Sequence, residues 1–173
     1  PTKGHFEVVK TALEQNKETV SYEDSSIDHL IELLLDGNIV SVFSGGSESG
    51  RRALGNRSIL ADPRRTDMKD IINEKVKHRQ WFRPFAPSIL AEEVSNWFVR
   101  DVKSEYMSVV IPFKEEVRDK VPAVVHLDGT GRLQTVTAET NPWYYNFLKK
   151  WQEASGVPII LNTSFNDREP IVE

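Results

Sequence analysis

Short β-rich apolar runs at residues 39–43, 58–61, 86–90, 106–113, 123–127, 132–137 and 158–161 are set among helical patterns that do not alternate with them one for one. A doubly wound parallel sheet needs a helix between successive strands. This order instead favours an α/β fold with an open, twisted, mixed sheet and flanking helices. Ile27, Leu30, Ile31, Leu34 and Leu35 recur at helical spacing behind a Ser25/Asp28 capping box, with Gly37 beyond the end. Thr66 is expected to cap a second helix bearing Met68, Ile71, Ile72 and Val76. Asn141 and Pro142 open a third, whose inner face carries Tyr144, Phe147, Leu148 and Trp151 and which Gly156 ends. Asp128-Gly129-Thr130-Gly131 reads as a turn between the runs at 123–127 and 132–137, and 162–166 as a polar loop after the last strand.

The organisation expected is one domain over residues 25–173. Before it, residues 1–24 form an appendage or linker remnant with a short amphipathic stretch at Phe6, Val9 and Leu13. Pro1 at one end and a strand-like 170–173 at the other read as cuts from a longer chain. With no cysteine, a disulfide framework and a thiol nucleophile are excluded, and a cytoplasmic home is favoured. No apolar run approaches the roughly 20 residues that span a bilayer.

Charge is more informative. The chain carries a net −4, yet residues 51–83 hold 10 Lys+Arg against 4 Asp+Glu, a local +6, leaving 12 against 22, or −10, elsewhere. A basic block in an acidic chain points to a local anion site rather than to a nucleic-acid surface. The Gly/Ser loop at 44–50 follows a strand, where backbone N–H groups can meet an anion. Arg51, Arg52 and Arg57 come after it. The spacing is neither that of a P-loop nor that of a dinucleotide fingerprint. Lys77 and Arg83 flank Arg79 and Trp81 and, if the segment is extended, share its register. Aromatic rings beside them can stack on a base and exclude water. His126, Thr130 and Arg132 lie around Gly129 and Gly131, and Asn162 and Ser164 at the end of a strand. The four histidines, His5, His29, His78 and His126, have no metal-site spacing.

Together these segments are similar to a known pattern. Glu48-Ser49-Gly50-Arg51-Arg52-Ala53-Leu54-Gly55-Asn56-Arg57-Ser58-Ile59-Leu60-Ala61-Asp62-Pro63-Arg64 resembles the signature of the carbamoyltransferase C-terminal domain of the NodU/CmcH/TobZ family. The segments 77–87, 126–135, Asn141-Pro142 and 162–166 match in order and spacing. The resemblance implies a YrdC-like lobe that binds ATP and carbamoyl phosphate and forms carbamoyl-adenylate, with Mg²⁺ assisting. A separate actin-like lobe would pass the carbamoyl group to a small-molecule or glycan acceptor. It implies phosphate contacts from Arg52, Lys77, Arg83 and Arg132, with Lys77, Arg83 and Arg132 catalytic. Asn162 and Ser164 would sit in the same cleft, and His126, Thr130 and Arg57 are weaker carry-overs. No metal ligand is assigned. A homodimer is compatible with the resemblance, and a membrane or nucleic acid is not among the partners it implies. Three departures stand out: Arg51 replaces a proline, Arg168 runs directly into Glu169 where the family often has a glycine, and no actin-like lobe precedes the domain. The alternatives are an RNA-binding module of the same fold and a lobe that holds nucleotide without turnover.

Overall fold

The structure is a computed structural model that describes residues 3–16, 21, 23, 25–48, 50–167 and 169. Helix α1 (Lys3–Gln15) precedes α2 (Ile27–Leu35) and strand β1 (Val40–Phe43). Strand β2 (Arg57–Ala61) leads to α3 (Met68–Ile71), which widens into a π-helical turn at Ile72–Val76. Then come β3 (Ala86–Leu90), α4 (Val94–Trp97), β4 (Val109–Pro112), β5 (Thr130–Val136), α5 (Pro142–Ser155) and β6 (Ile159–Ser164). The strands make one open sheet in the order β1-β2-β6-β3-β5-β4. Only β3 and β5 are parallel among the named pairs, so the sheet is mixed, as the strand order predicts.

The core forms where α5 lies on the sheet. Tyr144, Phe147, Leu148 and Trp151 are fully buried with Leu60, Ile89, Leu133 and Ile160, and Ile31 and Leu34 of α2 join them. Asn141 caps α5 by accepting from the Tyr144 N–H at 3.0 Å, and Gly156 closes it at φ 79°. The Trp151 indole donates to the Ile159 carbonyl at 2.8 Å, which ties the helix to β6.

Several sequence expectations are corrected. The cap of α2 is Ser26, which accepts from the His29 N–H, while Ser25 instead meets the His29 ring. The run at 39–43, expected from its apolar residues to be a buried strand, gives the edge strand β1 with only Val42 buried, because among the described residues nothing pairs beyond it. Thr66 does not cap α3: Asp67 holds the cap position, and its carboxylate is taken by Arg65. The run at 123–127 is no strand. Pro122 starts a 3₁₀ turn through Val124 that buries the apolar side chains without a ladder, so the antiparallel neighbour of β5 is β4. Asn162 and Ser164 lie inside β6 rather than in a loop, paired with β2 and, at Asn162, also with β3. The expectations for 170–173 and for Arg168 fall outside the described residues.

The topology has one result that matters for function. Strand β6 runs against both β2 and β3, and β5 runs with β3. The end of β6 therefore meets the starts of β2, β3 and β5. The connections at 50–56, 77–85, 126–129 and 165–167, distant in sequence, open onto a single end of the sheet.

Candidate anion-binding cleft

The cations reach this end of the sheet from three places: Arg51 and Arg52 from the connection before β2, Lys77, Arg79 and Arg83 from the one before β3, and Arg132 from β5 itself. Lys77 follows the π-helical turn and is buried at 4% exposure. Its Nζ donates to the Ser164 carbonyl and, at 2.6 Å, to the Asn166 carbonyl, so it clamps the chain leaving β6. The segment after it is not extended: His78 turns the backbone at φ 46°, and residues 77–85 form no strand. What shapes it is Asn73, 1% exposed. Its amide donates to the carbonyls of Trp81 and Arg83 at 3.2 and 3.0 Å, and its Oδ1 accepts from Arg79 Nε at 2.7 Å. Arg79 also lies over the Phe85 ring, 4.8 Å from its centroid.

The loop before β2 is shaped by a carboxylate. Glu48 Oε1 accepts from the N–H groups of Leu54, Asn56 and Arg57 at 2.8, 2.7 and 3.2 Å. Those N–H groups are thus satisfied within the protein rather than offered to a ligand. Arg57 is likewise internal: buried, stacked 3.5 Å from the Phe43 ring centroid, and donating to the carbonyls of Ser44, Gly45 and Asn56. Gly131, beside Arg132, admits a close approach, because a Cβ there would sit 2.5 Å from the Phe113 ring.

Two cavities open between these segments. The smaller, of about 110 Å³, is lined by Arg51, Arg52, Arg79, Arg132, Asn162 and Ser164 among others. The larger, of about 470 Å³, is lined by Lys77, Arg79, Arg83, Ser164, Asn166 and Asp167 among others. Arg79 and Ser164 belong to both. The structure thus brings Arg52, Arg132 and Asn162 to one cavity and Lys77 and Arg83 to the other, with Ser164 between them. It does not bring His126 or Thr130 to either. His126 Nδ1 pairs with Thr130 Oγ1 at 3.1 Å, Asp128 accepts from the same hydroxyl at 2.7 Å, and His126 lines a separate groove with Lys69, Phe82 and Leu127. Arg79 is the cation that the motif pattern did not single out. It was visible in the sequence only as a neighbour of Lys77, and the signal for it is the contact with Asn73, which needs the fold.

The lining of the two cavities is strongly cationic. Asp167 is the one carboxylate among the residues lining the two cavities. Burial, then Arg79, pushes the Lys77 ammonium down to about 8, with Asp167 pulling the other way. Burial, then Arg83 and Arg132, lowers Arg79. Burial, then Arg52, lowers Arg132. A chain of mutually repelling cations without matching acids is unfavourable in the empty protein and is relieved by a bound polyanion.

A pH dependence follows, with its sign. From about pH 8 to 10.5 the folded protein holds Lys77 neutral while the unfolded chain still binds that proton. Stability therefore gains as pH rises through this window, and below it the charged, buried Lys77 detracts from stability. Anion affinity moves oppositely. Pyrophosphate binding is expected to weaken by up to about tenfold per pH unit above about 8, with proton uptake on binding. Calorimetric titration at pH 7 and 9.5 checks this, and equal affinities with no proton uptake would exclude Lys77 as a titrating contact.

Most of the chain is matched by known proteins. The family model described as carbamoyltransferase C-terminus matches residues 31–173. The chain is 49% identical to an uncharacterized protein of Methanocaldococcus jannaschii over 78% of the chain and 22% of that protein. It is 46% identical to nodulation protein NolNO of Sinorhizobium fredii over 87% of the chain and 23% of that protein. It is 42% identical to nodulation protein NolO of Bradyrhizobium diazoefficiens over 89% of the chain and 29% of that protein. The chain thus spans less than a third of the length of these relatives.

Proposed function

Because the chain belongs to the carbamoyltransferase C-terminus family, with a match covering residues 31–173, we propose that it is the part of a carbamoyltransferase that binds ATP and carbamoyl phosphate side by side and forms carbamoyl-adenylate. The observation that supports this most is the pair of adjoining cavities sharing Arg79 and Ser164, each lined by several cations. One phosphorylated ligand would need one such cavity, and two would need both.

In this reading water releases inorganic phosphate from carbamoyl phosphate and leaves carbamate. A carbamate oxygen then bonds to the α-phosphorus of ATP as the bond from that phosphorus to the pyrophosphate oxygen breaks. The chain's residues supply position and charge. Arg52 and Arg132 hold the anion in the smaller cavity. Lys77 and Arg83 take the negative charge that gathers on the departing pyrophosphate. Ser164, within reach of Lys77 Nζ at 3.3 Å, lies where the two ligands would meet. Carbamate is short-lived in water, so a lined cavity that keeps solvent away from it favours transfer over loss.

Mg²⁺ is expected to arrive with the nucleotide. Among the described residues no group of three or more His, Cys, Asp or Glu side chains could hold a metal, and the cleft is lined mainly by cations, amides and hydroxyls, with Asp167 its one carboxylate. The residues present do not make a resident Mg²⁺ cage, so its ligands would be phosphate oxygens and water. Delivery of the carbamoyl group to an acceptor belongs, in this proposal, to the remainder of a longer protein. No helix among the described residues is long and apolar enough to cross a membrane.

The experiment is pyrophosphate release from ATP by this chain, measured with and without carbamoyl phosphate. Release is expected only when both are present. Release from ATP alone at the same rate, or none under any condition while ATP binds tightly, would rule the adenylate-forming reading out.

A further inference from the structure

The cation that no motif marked is held in place by two contacts. Arg79 is the charged side chain that lines both cavities. Its Nε is held by Asn73 Oδ1 at 2.7 Å, and Asn73 is itself fixed by bonds to the carbonyls of Trp81 and Arg83. The guanidinium carbon lies over the Phe85 ring, 4.8 Å from its centroid, so the group is held by one bond and one cation–ring contact. With Nε taken by Asn73, the four N–H donors of the two terminal nitrogens are left for a ligand. Lys77, Arg83 and Arg132 each interact repulsively with Arg79, and no ion pair to it is formed among the described residues. A guanidinium held this rigidly between two anion cavities has the geometry of a fork that serves an oxygen on either side.

We propose that Arg79 is a substrate-binding residue that donates to a phosphate oxygen in each cavity at once, and that this shared contact is what allows two mutually repelling anions to occupy the cleft together. The proposal rests on the functional reading above for the identity of the two anions, but not for the presence of a shared contact. It differs in kind from the roles of Arg52, Lys77, Arg83 and Arg132, each of which lines one cavity only.

The test uses two probes that do not react with one another, inorganic pyrophosphate and carbamoyl phosphate, titrated singly and then each in the presence of saturating amounts of the other. In the unaltered chain both bind, and the first weakens the second by less than about tenfold. In Arg79→Ala both single affinities fall about 10–100-fold, as for loss of a charged hydrogen-bonding partner, and the first anion now weakens the second by at least tenfold more. Arg79→Lys keeps the charge but not the fork. It is expected to hold each single affinity within about tenfold while failing to restore joint binding. The lysine variant also guards against misfolding of the alanine one.

The proposal is overturned if Arg79→Ala weakens one ligand and spares the other, if it spares both, or if Arg79→Lys binds the two together as well as the unaltered chain. If the unaltered chain binds pyrophosphate but not carbamoyl phosphate, the functional reading fails on its own. Arg79 is then judged by the same comparisons with inorganic phosphate as the second probe.

Discussion

Arg132→Met is expected to reduce carbamoyl-phosphate-dependent pyrophosphate release by about 10²–10³-fold while leaving the melting temperature unchanged or raising it by a few degrees. The two halves of this expectation come from one arrangement. Arg132 sits on β5 at the smaller cavity, opposite Val110 of β4, with Arg52 as its like-charged neighbour. Its Nε is buried without a hydrogen-bond partner. A buried donor left unpaired costs about 1–3 kcal/mol, and repulsion within the cation cluster adds to that. Methionine keeps most of the aliphatic stem and removes both penalties. In the proposed function the same change removes a charge that would meet a phosphate, and transition-state stabilisation would go with it. Parallel measurement of rate and of thermal unfolding decides the matter. A fall of more than several degrees would make Arg132 a structural residue, and an unchanged rate would remove it from the chemistry. A stability gain with an activity loss is the signature of a site that trades one for the other.

The largest expected effect on folding lies at a residue with no charge. Gly55 is buried with φ 114°, a conformation that side-chain-bearing residues rarely adopt. A Cβ there would come within 2.4 Å of Cδ1 of Tyr144, a fully buried ring in the core. That ring stacks with Phe147 and cannot swing aside. Gly55→Ala therefore combines backbone strain with overpacking, and about 3 kcal/mol of destabilisation is expected, or a fall in melting temperature of roughly 6–12 °C for a chain of this size. Ser58 Oγ, which accepts from the Gly55 N–H at 2.9 Å, would be displaced in the same movement. Denaturant unfolding of the variant checks this, and a loss below about 1 kcal/mol would show that the ring yields.

How far these features could be read from the sequence depends on the range of the interactions behind them. The α5 helix was legible almost to the residue, because Asn141, Pro142 and Gly156 mark its ends locally and its apolar face repeats every turn. The mixed sheet was legible as a class from the irregular order of strands and helices. The strand expected at 123–127 failed because an apolar run of that length is equally consistent with a buried 3₁₀ turn, and only the pairing of β4 with β5 decides. The extended register assumed for 77–85 failed for a similar reason. The segment is organised by Asn73, whose bonds to Trp81, Arg83 and Arg79 have no sequence signature. For the site, Arg52, Lys77, Arg83 and Arg132 were named through a resemblance rather than through spacing. Arg57 looked equally suitable, yet the structure stacks it on Phe43 and gives its donors to carbonyls. An arginine facing solvent and one turned inward are indistinguishable in a string of letters.

The arrangement of β6 between two strands that run against it has a bearing on when the cleft comes into being. Its walls come from stretches far apart along the chain: Arg52 before β2, Arg79 before β3, Arg132 on β5 and Ser164 at the end of β6 meet only through the ladders β2–β6, β6–β3 and β3–β5. Pairings so remote in sequence close late in folding. A nascent or partly opened chain has no rudimentary version of this pocket, since the loss of any one ladder scatters the walls. Occupancy by a polyanion, as proposed, would therefore act as a lock on the register of three strand pairs at once, and protection of their amides from hydrogen exchange is expected to rise and fall together with it.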